Sequence, residues 1–154
     1  MKELVENYCK AYYGPAAETM ISLFYEQQQY EQFIVEQTYV NFGRYWPQGN
    51  QFWIEEDYPY PVIKNQLGFV DKALEDIKIV LDSDNPDMYE VYKERLDLFS
   101  VSLICMMKDI YGAAAFKPYS NEEWEGYRNR AIKVLETHSM SKGRSVLSAD
   151  WFRQ

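Results

Sequence analysis

Tyr12-Tyr13-Gly14-Pro15-Ala16-Ala17 is the segment that most constrains how this chain can fold. It follows a short amphipathic stretch and opens a long, mostly helical one. Glycine adopts the left-handed conformation that closes a helix, and proline fits the first turn of the next, where its missing amide is not needed. The six residues therefore predict a stop and an immediate restart, a sharp corner between two packed helices. Before the corner, Leu4, Val5, Tyr8, Ala11 and Tyr12 share one face of a helix over Lys2–Tyr13, the apolar face by which it would pack. That helix is too short to be stable alone. After the corner, Ala17, Met20, Ile21, Phe24, Ile34 and Val35 recur at helical spacing as far as Tyr39. The middle of this element, Glu26 to Gln32, is polar apart from Tyr30 and is expected to project beyond the core.

Asn41 to Pro61 is the only long irregular segment. Gly43, Pro47, Gly49, Pro59 and Pro61 interrupt any regular element, while Phe42, Tyr45, Trp46, Phe52, Trp53, Tyr58 and Tyr60 crowd between them. A loop this long is usually functional or tied down, and one so aromatic is expected to be packed. From Pro61 a clean repeat follows, Ile63, Leu67, Val70, Leu74, Ile77 and Leu81, spaced alternately four and three as in a bundle seam. Asp82-Ser83-Asp84-Asn85 ends it, with Asn85 as N-cap and Pro86 as first residue of the next helix. Tyr92, Leu96, Phe99, Leu103, Met106 and Ile110 line that helix, which stops near Gly112.

Lys117-Pro118 makes another break, and Ser120 with Glu123 forms a capping box. Trp124, Tyr127, Ala131, Val134, Leu135 and His138 mark the last full helix. The tail from Ser139 to Gln154 has weaker signals, with Val146, Leu147, Trp151 and Phe152 able to dock on the body. No stretch alternates with period two for long enough to make a strand. The expectation is one all-α domain over residues 1–154: a bundle of about five mostly antiparallel helices with one long aromatic-rich loop. Gly68 and Gly126, inside helices, are read as sites of close helix approach.

The net charge of −8 argues against nucleic acid and against an anionic membrane surface, both of which need a basic stripe. No run reaches the roughly 18 apolar residues of a membrane span. Met1-Lys2-Glu3 leads directly into an amphipathic helix, so no signal peptide is visible, although a mature domain cut from an exported parent would look the same. Aromatic residues make up 17% of the chain, enough that some are expected to lie against a partner.

The candidates for chemistry are few. Cys9 and Cys105 match no zinc spacing and read as buried free thiols, with a bridge open only if their helices touch. The single histidine, His138, lies at a helix end, where dipole and capping account for it. A di-iron site needs Glu-x-x-His on two helices, which one histidine cannot supply. Glu55-Glu56-Asp57 reads as a solvated acidic turn rather than a hydrolytic pair, because adjacent loop residues do not place carboxylates on opposite sides of a bond. No phosphate-binding glycine loop and no Gly-x-Ser-x-Gly occur. Catalytic, cofactor-binding and metal-binding residues are therefore not assigned. Tyr45, Trp46, Phe52 and Trp53 are the candidate contacts for a carbohydrate or an interface.

Leu4-Val5-Glu6-Asn7-Tyr8 through Tyr12-Tyr13-Gly14-Pro15-Ala16-Ala17 resembles the start of a helical C-terminal region in a family of large bacterial proteins, domain of unknown function 4838. The helix with Ala73 and Leu74, followed by the Arg95-Leu96 helix, resembles that family's next helical pair. Its members are similar to α-glucuronidases and related glycoside hydrolases, in which a TIM barrel precedes a helical domain. The resemblance implies a C-terminal fragment of a larger, exported protein of carbohydrate metabolism, whose catalytic carboxylates would lie on the missing barrel. It implies a domain that packs on that barrel or on a second copy, with no active site of its own. Two other roles stay open: a carbohydrate-binding module using the aromatic loop, and a self-associating bundle unrelated to carbohydrate.

Overall fold

The computed structural model describes residues 2–39, 60–111, 117–138 and 148–154. Among them are six α-helices: α1 (Lys2–Tyr13), α2 (Ala17–Tyr39), α3 (Tyr60–Asp76), α4 (Met88–Tyr111), α5 (Asn121–Thr137) and a short α6 (Ala149–Arg153). Gly14–Ala16 and Ile77–Asp82 form 3₁₀ turns. No strand occurs among the described residues, so the all-α expectation holds.

The corner forms as its sequence requires. Gly14 has φ +55, the one positive φ among the described residues. Pro15 sits in the 3₁₀ turn, and the Ala17 amide donates to the Gly14 carbonyl. A Cβ at Gly14 would come within 2.5 Å of the Tyr92 ring, so glycine is required by space as well as by backbone conformation. Ala16 and Ala17, both buried, allow the new helix to press against its neighbours.

Side-chain bonds fix the relative directions of α2, α3, α4 and α5. Thr19 Oγ1 donates to Asp76 Oδ2 at 2.5 Å, and Asn65 Nδ2 donates to Glu26 Oε1 at 2.5 Å. Advancing along α2 thus means retreating along α3, and the two are antiparallel. Lys64–Glu123 at 2.8 Å and Asp71–Arg130 at 2.7 Å lie seven residues apart on both helices, so α3 and α5 run parallel and in register. At the end of α5, His138 meets Glu94 and Asp97 near the start of α4, which sets α4 antiparallel to α5. From α2 to α5, neighbours in sequence alternate up and down, while alternate helices run together.

The buried side chains form one continuous cluster in which Met20, Leu23, Ile63, Val70, Ile77, Leu96, Leu103, Ile104, Met107 and Phe152 are almost fully enclosed. Most of the expected stripes point into it. The α3 repeat departs at its last member: Leu81 is half-exposed and Val80 is buried instead. The helix tightens to 3₁₀ at Ile77, and three residues per turn brings Val80, not Leu81, back to the inner face. In α4 the buried set is wider than one stripe, taking in Ser100, Val101, Ile104, Cys105 and Met107. This helix contacts α1, α3 and α5, and is the central element of the bundle.

Starts and stops differ from expectation by a residue or two. α3 begins at Tyr60, ahead of Pro61, which occupies its first turn. α4 begins at Met88, because Asn85, Pro86 and Asp87 form a turn in which the Met88 amide donates to the Asn85 carbonyl at 3.2 Å. Ser120 caps α5, accepting from the Glu123 amide at 3.1 Å. The Glu123 carboxylate binds Lys64 of α3, so it links two helices. Gly68 and Gly126 are corrections: a Cβ at either would meet nothing within 4 Å, so neither marks a close approach. Their positions in the parallel pair α3 and α5 place both in the span bracketed by the two ion pairs. Glu26 also differs from expectation, since it is half-buried against Asn65; Gln27 is half-buried too, while Gln28 and Gln29 are at the surface. The side chains of Tyr30, Ile34, Val35 and Ile110 fall outside those described.

Candidate interaction surface on the first helix

The largest departure from the sequence reading is on α1. Its buried residues are Cys9 and Tyr13, with Val5 partly enclosed. Leu4 is 73% exposed, Tyr8 47% and Tyr12 36%, and Ala11 also faces out. Positions 5, 9 and 13 make one helical row and positions 4, 8 and 12 the adjacent one. Both rows are apolar, and the corner at Gly14 turns the former inward. Periodicity alone finds the apolar arc but not the half of it that the chain covers.

The outward row is held in place from below. Tyr8 stacks on Tyr12 with ring centres 5.1 Å apart and 16° between planes, and meets Tyr13 edge-on at 6.1 Å. Phe24 of α2 touches both Tyr8 and Tyr13 and continues edge-on to Phe99 of α4 at 5.8 Å. On the Tyr12 ring lies the Arg95 guanidinium, 4.1 Å from the ring centre, which also donates to the Tyr12 carbonyl at 2.6 Å. Cation–π contact and hydrogen bond together fix the ring. Burial pushes the Tyr13 phenol well above the usual range, and pushes Tyr8 up less, partly offset by the hydrogen bond to Tyr13. Beside Tyr8 an open groove of about 340 Å³ runs between α1 and α2, lined by Val5, Tyr8, Phe24, Gln27 and Gln28. Such a surface can bind an apolar side chain over rigid rings, with amides at the rim to orient it. It holds no acid–base pair and no activated nucleophile.

A second aromatic cluster stands where α3 and α5 begin. Tyr119 stacks with Trp124 at 5.7 Å and meets Tyr60 at 5.5 Å. Lys64, and after it the Tyr60 hydroxyl, holds the Glu123 carboxyl below the usual carboxylate range, and burial pushes the Tyr60 phenol up. Tyr45, Trp46, Phe52 and Trp53, the contacts predicted from sequence, lie outside the described residues, as does Glu55-Glu56-Asp57.

The remaining candidates are structural in their surroundings. Cys9 and Cys105 are both buried and no disulfide joins them, and burial raises the Cys9 thiol, which weakens it as a nucleophile. His138 caps α5 through its amide and lies 3.7 Å from Glu94 and 3.5 Å from Asp97, whose carboxylate also takes Lys93. Among the described residues no group of three or more His, Cys, Asp or Glu is placed to hold a metal ion. No helix of the described residues is long and apolar enough to cross a membrane. The chain matches no protein-family model, no curated protein and no solved structure.

Proposed function

We propose that this chain is a helical accessory domain that acts by contact, without an active site of its own, and that α1 is its docking face. The observation that carries this reading is the outward row Leu4, Tyr8 and Tyr12, preorganised by Arg95 and Phe24 and flanked by an open groove. Rigid aromatic anchors beside a pocket are the features on which binding energy concentrates at interfaces. The resemblance of the Tyr12–Ala17 corner to the helical region of α-glucuronidase-like bacterial proteins supplies the setting. There the domain packs on the catalytic barrel of an exported glycoside hydrolase, or on a second copy of itself.

The coding DNA ahead of the Met1 codon tests this setting. An open frame continuing into a barrel-length region supports an accessory domain of a larger enzyme. A stop codon and ribosome site just before Met1 contradicts it. Incubating the purified chain with a panel of glycosides should give no turnover, and measurable hydrolysis would overturn the reading.

The cluster Tyr60, Tyr119 and Trp124, whose Tyr60 is the last ring of the aromatic segment, favours a second reading as a carbohydrate-binding module through Tyr45, Trp46, Phe52 and Trp53. Tryptophan fluorescence that shifts saturably with added sugar supports it, and unchanged fluorescence rules against it.

A further inference from the structure

We infer that the turn between α3 and α4 is a second docking surface, and that its occupant is a basic amphipathic segment of a partner protein, with lysine or arginine flanking aliphatic anchors. The 3₁₀ turn Ile77–Asp82 is six residues long, whereas runs beyond three or four are uncommon. Side chains three apart eclipse in this geometry, so the turn carries three rows. Ile77 and Val80 form the buried row. Leu81 shares a row with Lys78, and Ile79 shares one with Asp82. Ile79 is left 68% exposed and Leu81 50%. An α-helical continuation would carry Leu81 inward with Ile77; the tighter winding turns it to solvent.

Charge selects the occupant. Residues 79–92 hold four carboxylates, Asp82, Asp84, Asp87 and Glu90, and no lysine or arginine, so this short stretch carries half of the chain's net charge of −8. All four are exposed, and among the described residues none takes part in an ion pair. The cations on either side are already taken, Lys78 by Glu75 at 2.6 Å and Lys93 by Asp97. The dipole at the start of α4 suits Asp87 and Glu90. It does not account for Asp82 on the Ile79 row, or for two aliphatic side chains turned outward. No three carboxylates of the described residues gather for a metal ion. Their match is therefore a row of cations spread along a segment, with apolar side chains to meet Ile79 and Leu81.

Size sets the strength. Two aliphatic anchors make a small contact, so binding is weak, reversible and steered by charge. Exposed charges are screened beyond about 8 Å at physiological salt, so affinity falls as salt is raised. The turn lies against the corner at Gly14–Ala16, and none of its residues lines the groove beside Tyr8. Its occupancy does not depend on that of α1.

Fluorescence anisotropy tests this with the full chain and a labelled amphipathic peptide of leucine and lysine, about four helical turns long. Saturable binding that weakens with added salt is expected, and a leucine–glutamate peptide of the same length should not bind. Asp82→Asn, Asp84→Asn and Asp87→Asn combined should weaken binding by about tenfold. Ile79→Ser with Leu81→Ser should do so by a similar factor, from the lost apolar contact. Glu3→Gln, Glu18→Gln and Glu122→Gln combined remove the same charge from other exposed positions, and should leave the affinity within about twofold. Equal weakening by the two charge sets would reduce the effect to net charge and overturn the turn as the site. No binding of the lysine peptide, equal binding of the glutamate peptide, or indifference to the aliphatic substitutions would each overturn the stated occupant. Every substitution is at an exposed position, and unchanged helical circular dichroism verifies that each variant is folded.

Discussion

Gly14 has two independent reasons to be glycine, and they act at the same atom. An L side chain in the left-handed region costs roughly 1–2 kcal/mol, and overpacking a filled site costs roughly 1–3 kcal/mol more. Gly14→Ala should therefore lower unfolding free energy by about 2–5 kcal/mol in urea titration. A loss under about 1 kcal/mol, the ordinary glycine-to-alanine scale, would mean that the Tyr92 ring yields. Gln66 is the opposite case. It is fully buried in α3, and neither its Nε2 nor its Oε1 has a hydrogen-bond partner. Burying a polar group unpaired costs about 1–3 kcal/mol. Gln66→Met keeps the volume and removes that cost, so thermal unfolding should shift upward; a lower midpoint would contradict the unpaired burial.

At the scale of elements, a helix can be legible while its facing is not. The corner, the Ser120 cap and the α5 stripe were readable because each depends on residues adjacent in sequence. The α1 face was not, because Leu4-Tyr8-Tyr12 and Val5-Cys9-Tyr13 are both apolar rows and only the angle set at Gly14 separates them. Leu81 was misplaced for a related reason, since the tightening at Ile77 has no marker in the side chains around it. Gly68 and Gly126 were taken as contacts, yet each faces open space. Gly68→Ala and Gly126→Ala should each stabilise the protein by about 1 kcal/mol in chemical denaturation, and destabilisation would restore the close-approach reading.

Glu123 joins the α3 and α5 elements, and its pH dependence follows from the Lys64 pair. Its folded carboxyl lies below the ordinary glutamate value, led by the hydrogen bond from Lys64. The contribution is present above about pH 4.3, the unfolded value, and is lost as pH falls through the lower folded value. The gap in melting temperature between the wild type and Glu123→Gln should then close as the solution is acidified from pH 7. A gap independent of pH would contradict the charged pair.

Across the whole molecule, an all-α bundle follows from successive amphipathic helices with no period-two stretch among them, and the fold class was readable at that level. The centrality of α4 was not, because its second half is apolar on several sides and one stripe fits it as well as two. The candidate surface was less legible than the fold, since exposure is a property of the assembled bundle. Arg95 lies 83 residues from the Tyr12 carbonyl that it binds, and no local pattern joins them. The aromatic segment named from sequence lies outside the described residues, whereas α1 supplies a surface that its own pattern assigned to the interior.

That reassignment is the centre of the account, and a single substitution tests it. The unfolding free energy of Leu4→Asp, measured in urea at low micromolar protein, should match the wild type within about 0.5 kcal/mol, as for a surface position. A loss of about 2–5 kcal/mol, the range for truncating a buried leucine, would put Leu4 in the core and leave α1 with no free face to dock.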